Sequence, residues 1–507
     1  MKRLLNIIAA IQVISQFASA QVYLDTNNVT AYVDTTPVLF WNKVGAQGLI
    51  VPAGSGKSTL FSSSFWIGGL AGGSLYLSAE TYRQSGQDFR AGPLSNSYQK
   101  DTLKNQNIVR ISREMIDEFR THPLQWADPP DPIKNWPANP DMNNGQGKDL
   151  APFVNVGGDP NVYEPSAGDY PRIKGDLCIF NIFNDDILHT NSGSPRLKIE
   201  VQRMVFAFSD TSSFLNNSIF VNYRIVNRSM LDYDSVIFGQ YSDFDIGKYD
   251  DDFIGSDSTL DLAYAYNGDS SDEGANGYGL NPPAEGMMFL NIPMGGSMFF
   301  NNDFTTIGNP SSPIDYYRYL GMKWKDGNPL TYDGTGKGGS TRAWFAFSGD
   351  PCQQTGWTEK SASLAPGDRR SLCSSKPFSL PKDSSLNISI AFIYARDFAG
   401  ANSSVCALKS EALKMKNWYA NGGINSGMEE NHFNQPEIEI YPNPSDNEIS
   451  IKVKEPMNIE VYGMDGKRVT CETRVNSVIT LSNLTPGVYM IHGVGVNGRT
   501  VKKVVIY

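Results

Sequence analysis

Cysteine and histidine are scarce, at five and four residues in a chain of 507. His122, His189, His432 and His492 have no partner at metal-ligand spacing, and no HExxH run occurs. That removes the helical zinc-protease arrangement. With no CxxC pair or Cys/His cluster, a structural zinc site has no ligands. No GxSxG elbow marks a nucleophilic serine. A Ser/His/Asp triad or a carboxylate pair assembled only in space stays open. Positive charge is also short. Lys and Arg number 43 against 53 Asp and Glu, a net charge of −10, which argues against nucleic acid and anionic membrane as partners. The apolar run from Leu4 to Phe17 is too short for a membrane span, so no transmembrane segment is expected.

What is abundant is Gly, Asn, Ser, Asp and aromatic residues, a composition that suits a loop-rich, all-β extracellular protein. The first residues support export. Lys2 and Arg3 precede the apolar run, and Ala18-Ser19-Ala20 precede Gln21. This is the pattern of a secretory signal peptide over residues 1–20, with cleavage between Ala20 and Gln21. The stretch "VPAGSGKSTLF" imitates a phosphate-binding loop through Gly56, Lys57 and Ser58. The first glycine of that motif is replaced by Val51, and Pro52 removes a backbone donor. The Ser-rich aromatic run after it reads as a turn feeding a strand. No nucleotide is expected.

Beyond the leader the chain is too long for one ordinary domain. "LKIEVQRMVFAFS", "NSIFVNYRIVNRS", "DSVIFGQYSDF" and "LNISIAFIYAR" are long runs rich in Val, Ile and aromatics, hence strands. In the second, Ile219, Val221, Tyr223 and Ile225 share one face. Strands of this kind build a β-sandwich or jelly roll over residues 21–433, as one sandwich or two. Two helices are expected. One spans Arg113 to Thr121. The other carries Val405, Leu408, Ala412, Met415 and Tyr419 on one face, with Ser403 or Ser404 as cap and Gly422 at its end. Pro442 and Pro444 mark a boundary, with a linker at 434–440. Residues 441–507 read as a small Ig-like β-sandwich, with Ile449, Ile451 and Val453 inward and hairpin turns at Asp465-Gly466 and Asn497-Gly498.

"YPNPSDNEISI", "VYGMDGKRV", "LTPGVYMI" and "KKVVIY", in that order, resemble the type A C-terminal sorting domain of the Bacteroidetes type IX secretion system. The resemblance covers residues 441–507 and implies an address. A chain taken to the periplasm by its signal peptide is passed to the outer-membrane machinery through this tail, which is usually removed, leaving the passenger on the surface or released. In the passenger, "AETYRQSGQDFRAGPL", "SDFDIGKYDDDFIGSD", "NPPAEG" and "GDRR" are similar to motifs in large uncharacterised surface proteins with the same tail. That likeness implies no activity. The role expected is non-catalytic, in adhesion, surface structure or binding of an extracellular glycan or protein. A carbohydrate-binding module and a hydrolase without a recognisable motif are the alternatives.

Among candidate sites, the acidic loop holds Asp243, Asp245, Asp250, Asp251, Asp252 and Asp257. Alternating Asp and Gly supply the oxygens that Ca²⁺ takes at flexible spacing. Ile254 stands where an EF-hand has its bidentate Glu, so no EF-hand forms, and a solvated acidic turn is the other reading. A weaker loop contains Asn155, Gly157, Asp159, Pro160 and Asn161. Cys352 and Cys373 share one polar loop and are the expected disulfide, worth about 3 kcal/mol on the chain-entropy account. Cys178 reads as a buried thiol. His189 sits near Asp185 and Asp186 and reads as a solvated loop residue. Trp357, Glu359, Asp368, Arg369 and Arg370 read as an Arg–carboxylate clamp. Trp66, Trp126, Trp136, Trp324, Trp344, Trp357 and Trp418 are core or loop anchors unless they are exposed to stack on sugars. Asp101-Thr102-Leu103 and Asp234-Ser235-Val236 resemble O-glycosylation acceptors.

Overall fold

The strand-forming runs pair as their patterning demands. The computed structural model describes residues 22–42, 46–94, 108–138, 150–156, 159, 162–400, 402–425, 438–453, 456–463, 468–482, 484–495 and 498–507. The signal peptide with Ala20 and Gln21, His432, the 434–437 part of the linker, Asp101-Thr102-Leu103, Gly157, Pro160, Asn161, Asp465-Gly466 and Asn497 lie outside the described residues. The chain forms two units, Met1–Gly427 and Met428–Tyr507.

In the first unit two nine-stranded antiparallel sheets enclose one core. One sheet runs Val22–Leu24, Thr30–Val33, Leu49–Ile50, Ser58–Ala71, Tyr233–Phe244, Arg369–Ser375, Met294–Asn301, with Ser74–Ala79 and Phe378–Leu380 attached. The other runs Asp252–Asp257, Leu262–Asn267, Ala284–Phe289, Ser385–Ala395, Ser218–Asn227, Ile199–Ala207, Leu177–Asn184, Arg90–Ala91, with Val109–Ser112 attached. The fold is all-β, as composition and patterning indicated. Ile219, Val221, Tyr223 and Ile225 do share a face, and they meet Leu60, Phe65 and Phe238 of the other sheet in that core. The alternate residues Phe206, Phe220 and Ile393 turn outward, where a second cluster buries them under the helix Ser403–Ala420. Where the helix covers them these strands are apolar on both sides, while Gln202, Asn222 and Arg224 on the same outward face are polar.

The helices follow their signals with one exception. Arg113–Thr121 is a helix whose start is capped by the Ser112 hydroxyl, which accepts from Met115 N at 3.2 Å. Ser403–Ala420 buries Val405, Leu408, Ala412 and Met415, while Tyr419 is half-buried. Its expected Ser cap is corrected: Ser403 and Ser404 lie inside the helix. Their hydroxyls donate to Asp397 O and Pro282 O, and Asn402 precedes the helix with φ +61°. A helix not anticipated, Pro313–Leu320, begins at Ser312-Pro313, a start signal present in the sequence. Among the described residues no helix is long and apolar enough to cross a membrane.

The disulfide expectation is also corrected. Cys352 pairs with Cys406, with Cα atoms 5.3 Å apart. Cys373 lies in the strand Arg369–Ser375, opposite Gln240 and Ser297, and its buried free thiol joins the core between the sheets. Asn402 Nδ2 donates to Pro351 O at 3.3 Å and holds the loop that carries Cys352 against the helix start. Cys178 is a buried thiol, as read.

The second unit has a three-stranded sheet, Ile438–Tyr441, Ile449–Val453 and Val478–Leu481, and a four-stranded one, Arg468–Val475, Met457–Gly463, Gly487–Gly495 and Gly498–Ile506. Ile449, Ile451 and Val453 are buried with Ile459, Val461, Ile491 and Val504 in its core.

Candidate ligand-binding pocket

The first sheet's outer face explains how the pocket arises. Residues directly opposite on neighbouring strands share a face. One row is Trp66, Gly239 and Ser374; the next but one is Ser62, Asp243, Arg370 and Phe300. Trp66, Tyr241 and Phe300 stack on this face, and Tyr316 and Tyr319 of the helix Pro313–Leu320 cover them, with Trp66 and Tyr316 ring centroids 4.9 Å apart. Gly239 is required here: a Cβ would come within 2.3 Å of Leu320 Cδ2. Where this apolar cover stops, the strands end in charge.

Asp243 and Asp245 are two residues apart in extended chain and so project to one side. Asp245 N continues the pairing by donating to Thr59 O at 3.1 Å. On the adjacent strand, Asp368 precedes Arg369, and its carboxylate converges with those of Asp243 and Asp245, all within 4.8 Å of one another. Arg370 lies opposite Asp243 and forms ion pairs with both Asp243 and Asp368. Asn302 Nδ2 donates to the second oxygen of Asp368 at 3.0 Å. Asp245 is different. It is 7% exposed, and among the described residues no hydrogen bond or ion pair engages its carboxylate. The group opens into a pocket of about 530 Å³ whose lining includes Phe61, Tyr82, Arg83, Lys248 and Tyr249. Phe61 and Tyr82 pack edge to face at 4.8 Å, and Arg83 lies over the Tyr82 ring.

Burial pushes the Asp243 carboxyl up to about 6 against the pull of Arg370. Burial, then repulsion from Asp243, holds Asp245 well above the usual carboxylate range. The pocket alone therefore resists ionisation of these carboxyls, and a bound cation or a set of hydroxyl donors would favour it.

The six acids singled out in sequence do not form one cage. Asp243 and Asp245 enter the pocket. Asp251 and Asp252 turn toward Asp272 in a neighbouring group, where burial and mutual repulsion raise Asp251 to about 6. There Asp252 accepts from Ile246 N at 2.8 Å. Asp250 is exposed and paired with Lys248 at 2.8 Å. Asp257 accepts from Thr259 and pairs with Lys409 at 3.2 Å. The weaker loop centres on an acid outside the residues that its sequence singles out: buried Asp169 accepts from Val156 N, Glu164 N and Asn155 Nδ2. Asp368, 125 positions after Asp243, joins the pocket through sheet pairing alone.

Other expectations resolve individually. Lys57 follows a turn, donates to Gly277 O, and precedes a strand rather than a helix. His189 is corrected from solvated to buried. Its ring nitrogens lie 3.0 Å from Leu77 O and Asp185 O. The clamp exists as two pairs, Arg369 with buried Glu359 at 2.6 Å and Arg370 with Asp368. Trp66, Trp136, Trp324 and Trp357 are buried, and Trp126 and Trp418 half-buried. Trp344 is 49% exposed. It borders an apolar cleft of about 860 Å³ with Tyr332, Met294 and Met322, and Arg342 stacks 3.8 Å from its ring centroid.

Among curated proteins nothing matches the chain. A solved structure described as a polysaccharide lyase aligns with 61% of this chain and 34% of its own, at 8% identity and a TM-score of 0.20. The chain thus spans about a third of that structure's length, and a likeness at this TM-score bears on neither fold nor chemistry. Residues 439–507 match the family described as the secretion system C-terminal sorting domain. The small β-sandwich at the end of the chain is therefore an export address, and the chain is a type IX secretion cargo.

Proposed function

We propose that the passenger is a non-catalytic ligand-binding protein of the cell surface or the surrounding medium, and that its ligand is a glycan held in the acidic pocket. The observation that carries this reading is the Asp245 carboxylate, buried and unpartnered at the base of an open pocket walled by rings. Sugar hydroxyls donate to such carboxylates and accept from Arg83 and Lys248, while Phe61 and Tyr249 on the lining offer apolar surface to a sugar's C–H face. The carboxylates crowd within 4.8 Å. That is too close for the pair of an inverting hydrolase, about 6.5–9.5 Å apart to admit water, and nearer the about 5–5.5 Å of a retaining one.

A second reading rests on Trp344, whose half-exposed indole beside a large cleft is a stacking platform for a polymer. The test is depletion of the purified chain from solution by a panel of insoluble polysaccharides. Retention by one polymer, weakened at least tenfold by Asp245→Asn and unchanged by Trp344→Ala, is the expected result. The reverse pattern transfers the site to the cleft. No retention by any polymer overturns the glycan reading.

A further inference from the structure

We infer that the carboxylates of Asp243, Asp245 and Asp368 form the binding site of a divalent cation, with Ca²⁺ its occupant. The inference rests on the reading that this pocket takes a ligand, and it names the first component bound.

Ca²⁺ holds oxygens at about 2.3–2.6 Å, so two oxygens across its shell are about 5 Å apart. The three carboxylates converge within 4.8 Å, and among the described residues theirs is the one such convergence. All three donors are hard oxygens, with no histidine or thiolate in the group, which selects an alkaline-earth ion over zinc or copper. The charge also matches. Ionised around a bound cation, the three carboxylates against the one guanidinium of Arg370 carry two negative charges. At the mouth Lys248 is already paired with Asp250, and Arg83 lies over the Tyr82 ring.

The independent observation is Asp245. Three fully buried acids in this protein are satisfied by several donors each. Asp185 accepts from Ser78 Oγ, Leu197 N and Ile199 N. Asp88 accepts from Ala79 N, Asn191 N and Ser192 N. Glu80 accepts from Gly86 N, Asp88 N and Phe89 N. Asp245 is also buried, at 7% exposure, and among the described residues nothing donates to it. A buried carboxylate left without partners is costly, and here it borders solvent-accessible volume shared with two other carboxylates. Asp243 and Asp368 are fixed by adjacent paired strands, so the cage is preformed. The open side of the pocket leaves the remaining coordination positions to water or to hydroxyls of the ligand.

The test uses the full exported chain stripped with EDTA, then titrated with CaCl₂ or MgCl₂ by calorimetry and by thermal unfolding. The expected result is saturable calcium binding with a dissociation constant on the order of 10⁻⁴ M, as in extracellular calcium modules. At about a hundredfold excess over that constant the unfolding midpoint rises by about 2–4 °C. Asp245→Asn and, separately, the half-exposed Asp368→Asn abolish the rise, while Asp250→Asn and Asp257→Asn keep it. Absence of saturable calcium binding by the wild type, or an equal rise in both Asp245→Asn and Asp368→Asn, overturns the site. Polymer retention persisting in EDTA without calcium binding removes the cation and leaves the ligand reading. Calcium binding without retention by any polymer supports the cation and removes the glycan.

Discussion

Glu285 lies in the strand Ala284–Phe289 on the face that turns toward the opposite sheet, beside Met287 and Phe289. It is 1% exposed, and its Oε2 accepts from the hydroxyl of Thr59, on the strand Ser58–Ala71 of the other sheet, at 2.8 Å. That bond spans the sandwich. Burial pushes the carboxyl from 4.5 up to about 8, with only Thr59 acting against it. Below pH 4.5 both folded and unfolded chains carry the proton, and the group costs nothing. As pH rises the unfolded chain releases its proton first, so the folded state binds more protons and stability falls until the folded group also ionises near pH 8. Each tenfold difference in proton affinity between the folded and unfolded chains is worth about 1.4 kcal/mol, which gives an upper limit of about 5 kcal/mol. Between pH 5 and pH 8.5 the loss amounts to about 4 kcal/mol.

Glu285→Gln keeps an oxygen for Thr59 and removes the ionisation. All eight tryptophans lie before residue 428, so tryptophan fluorescence follows the first unit alone. A unit of roughly 400 residues has an unfolding entropy near 0.8 kcal/mol/K, so about 4 kcal/mol moves the midpoint by about 5 °C. The variant should melt within about 1–2 °C of the wild type at pH 5 and about 5 °C above it at pH 8.5. Other buried acids, such as Glu80 at about 8, change both proteins alike and cancel in the difference. A difference between variant and wild type that stays constant across this range would refute the burial argument.

Two further outcomes are expected. Peptide mapping without reductant should recover Cys352 linked to Cys406, and Cys406→Ala should lose stability toward the chain-entropy limit of about 4 kcal/mol for a 54-residue separation, whereas Cys373→Ala should leave the crosslink intact. Deleting residues 439–507 should abolish appearance of the passenger at the surface or in the medium while leaving the protein in the periplasm; undiminished export of the truncated chain would contradict the sorting assignment.

The fold is legible wherever the physics is local. Val, Ile and aromatic runs with a shared face at Ile219, Val221, Tyr223 and Ile225 form strands because the pleat sorts alternate side chains, and the stripe from Val405 to Met415 forms a helix for the same reason at another period. The sorting tail is legible because its motifs are short and ordered. What fails requires partners distant in sequence. Cys352 and Cys373 share a loop on paper, but Cys373 belongs to a strand and points into the core. His189 reads as solvated because its acidic neighbours are visible in sequence, and the carbonyl of Leu77, 112 positions away, is not.

The acidic site shows the same limit most sharply. Six aspartates close in sequence suggest one calcium loop, yet proximity along the chain measures only local charge. Two of the six reach the pocket because they sit two apart at a strand end. Two others face Asp272, and the last two are committed to Lys248 and Lys409. The third donor, Asp368, immediately precedes a strand whose pairing places Arg370 opposite Asp243, and no spacing rule connects positions 125 apart. A cation site of this kind is a property of sheet register. Its signature is an acid that the fold does not satisfy, and Asp245 is distinguished from Asp185, Asp88 and Glu80 by the backbone donors it lacks rather than by its sequence context. If the cage were only a turn rich in aspartate, replacing Asp245 or Asp250 would change the calcium response equally. A response that depends on Asp245 and Asp368, and is indifferent to Asp250, ties it to the register.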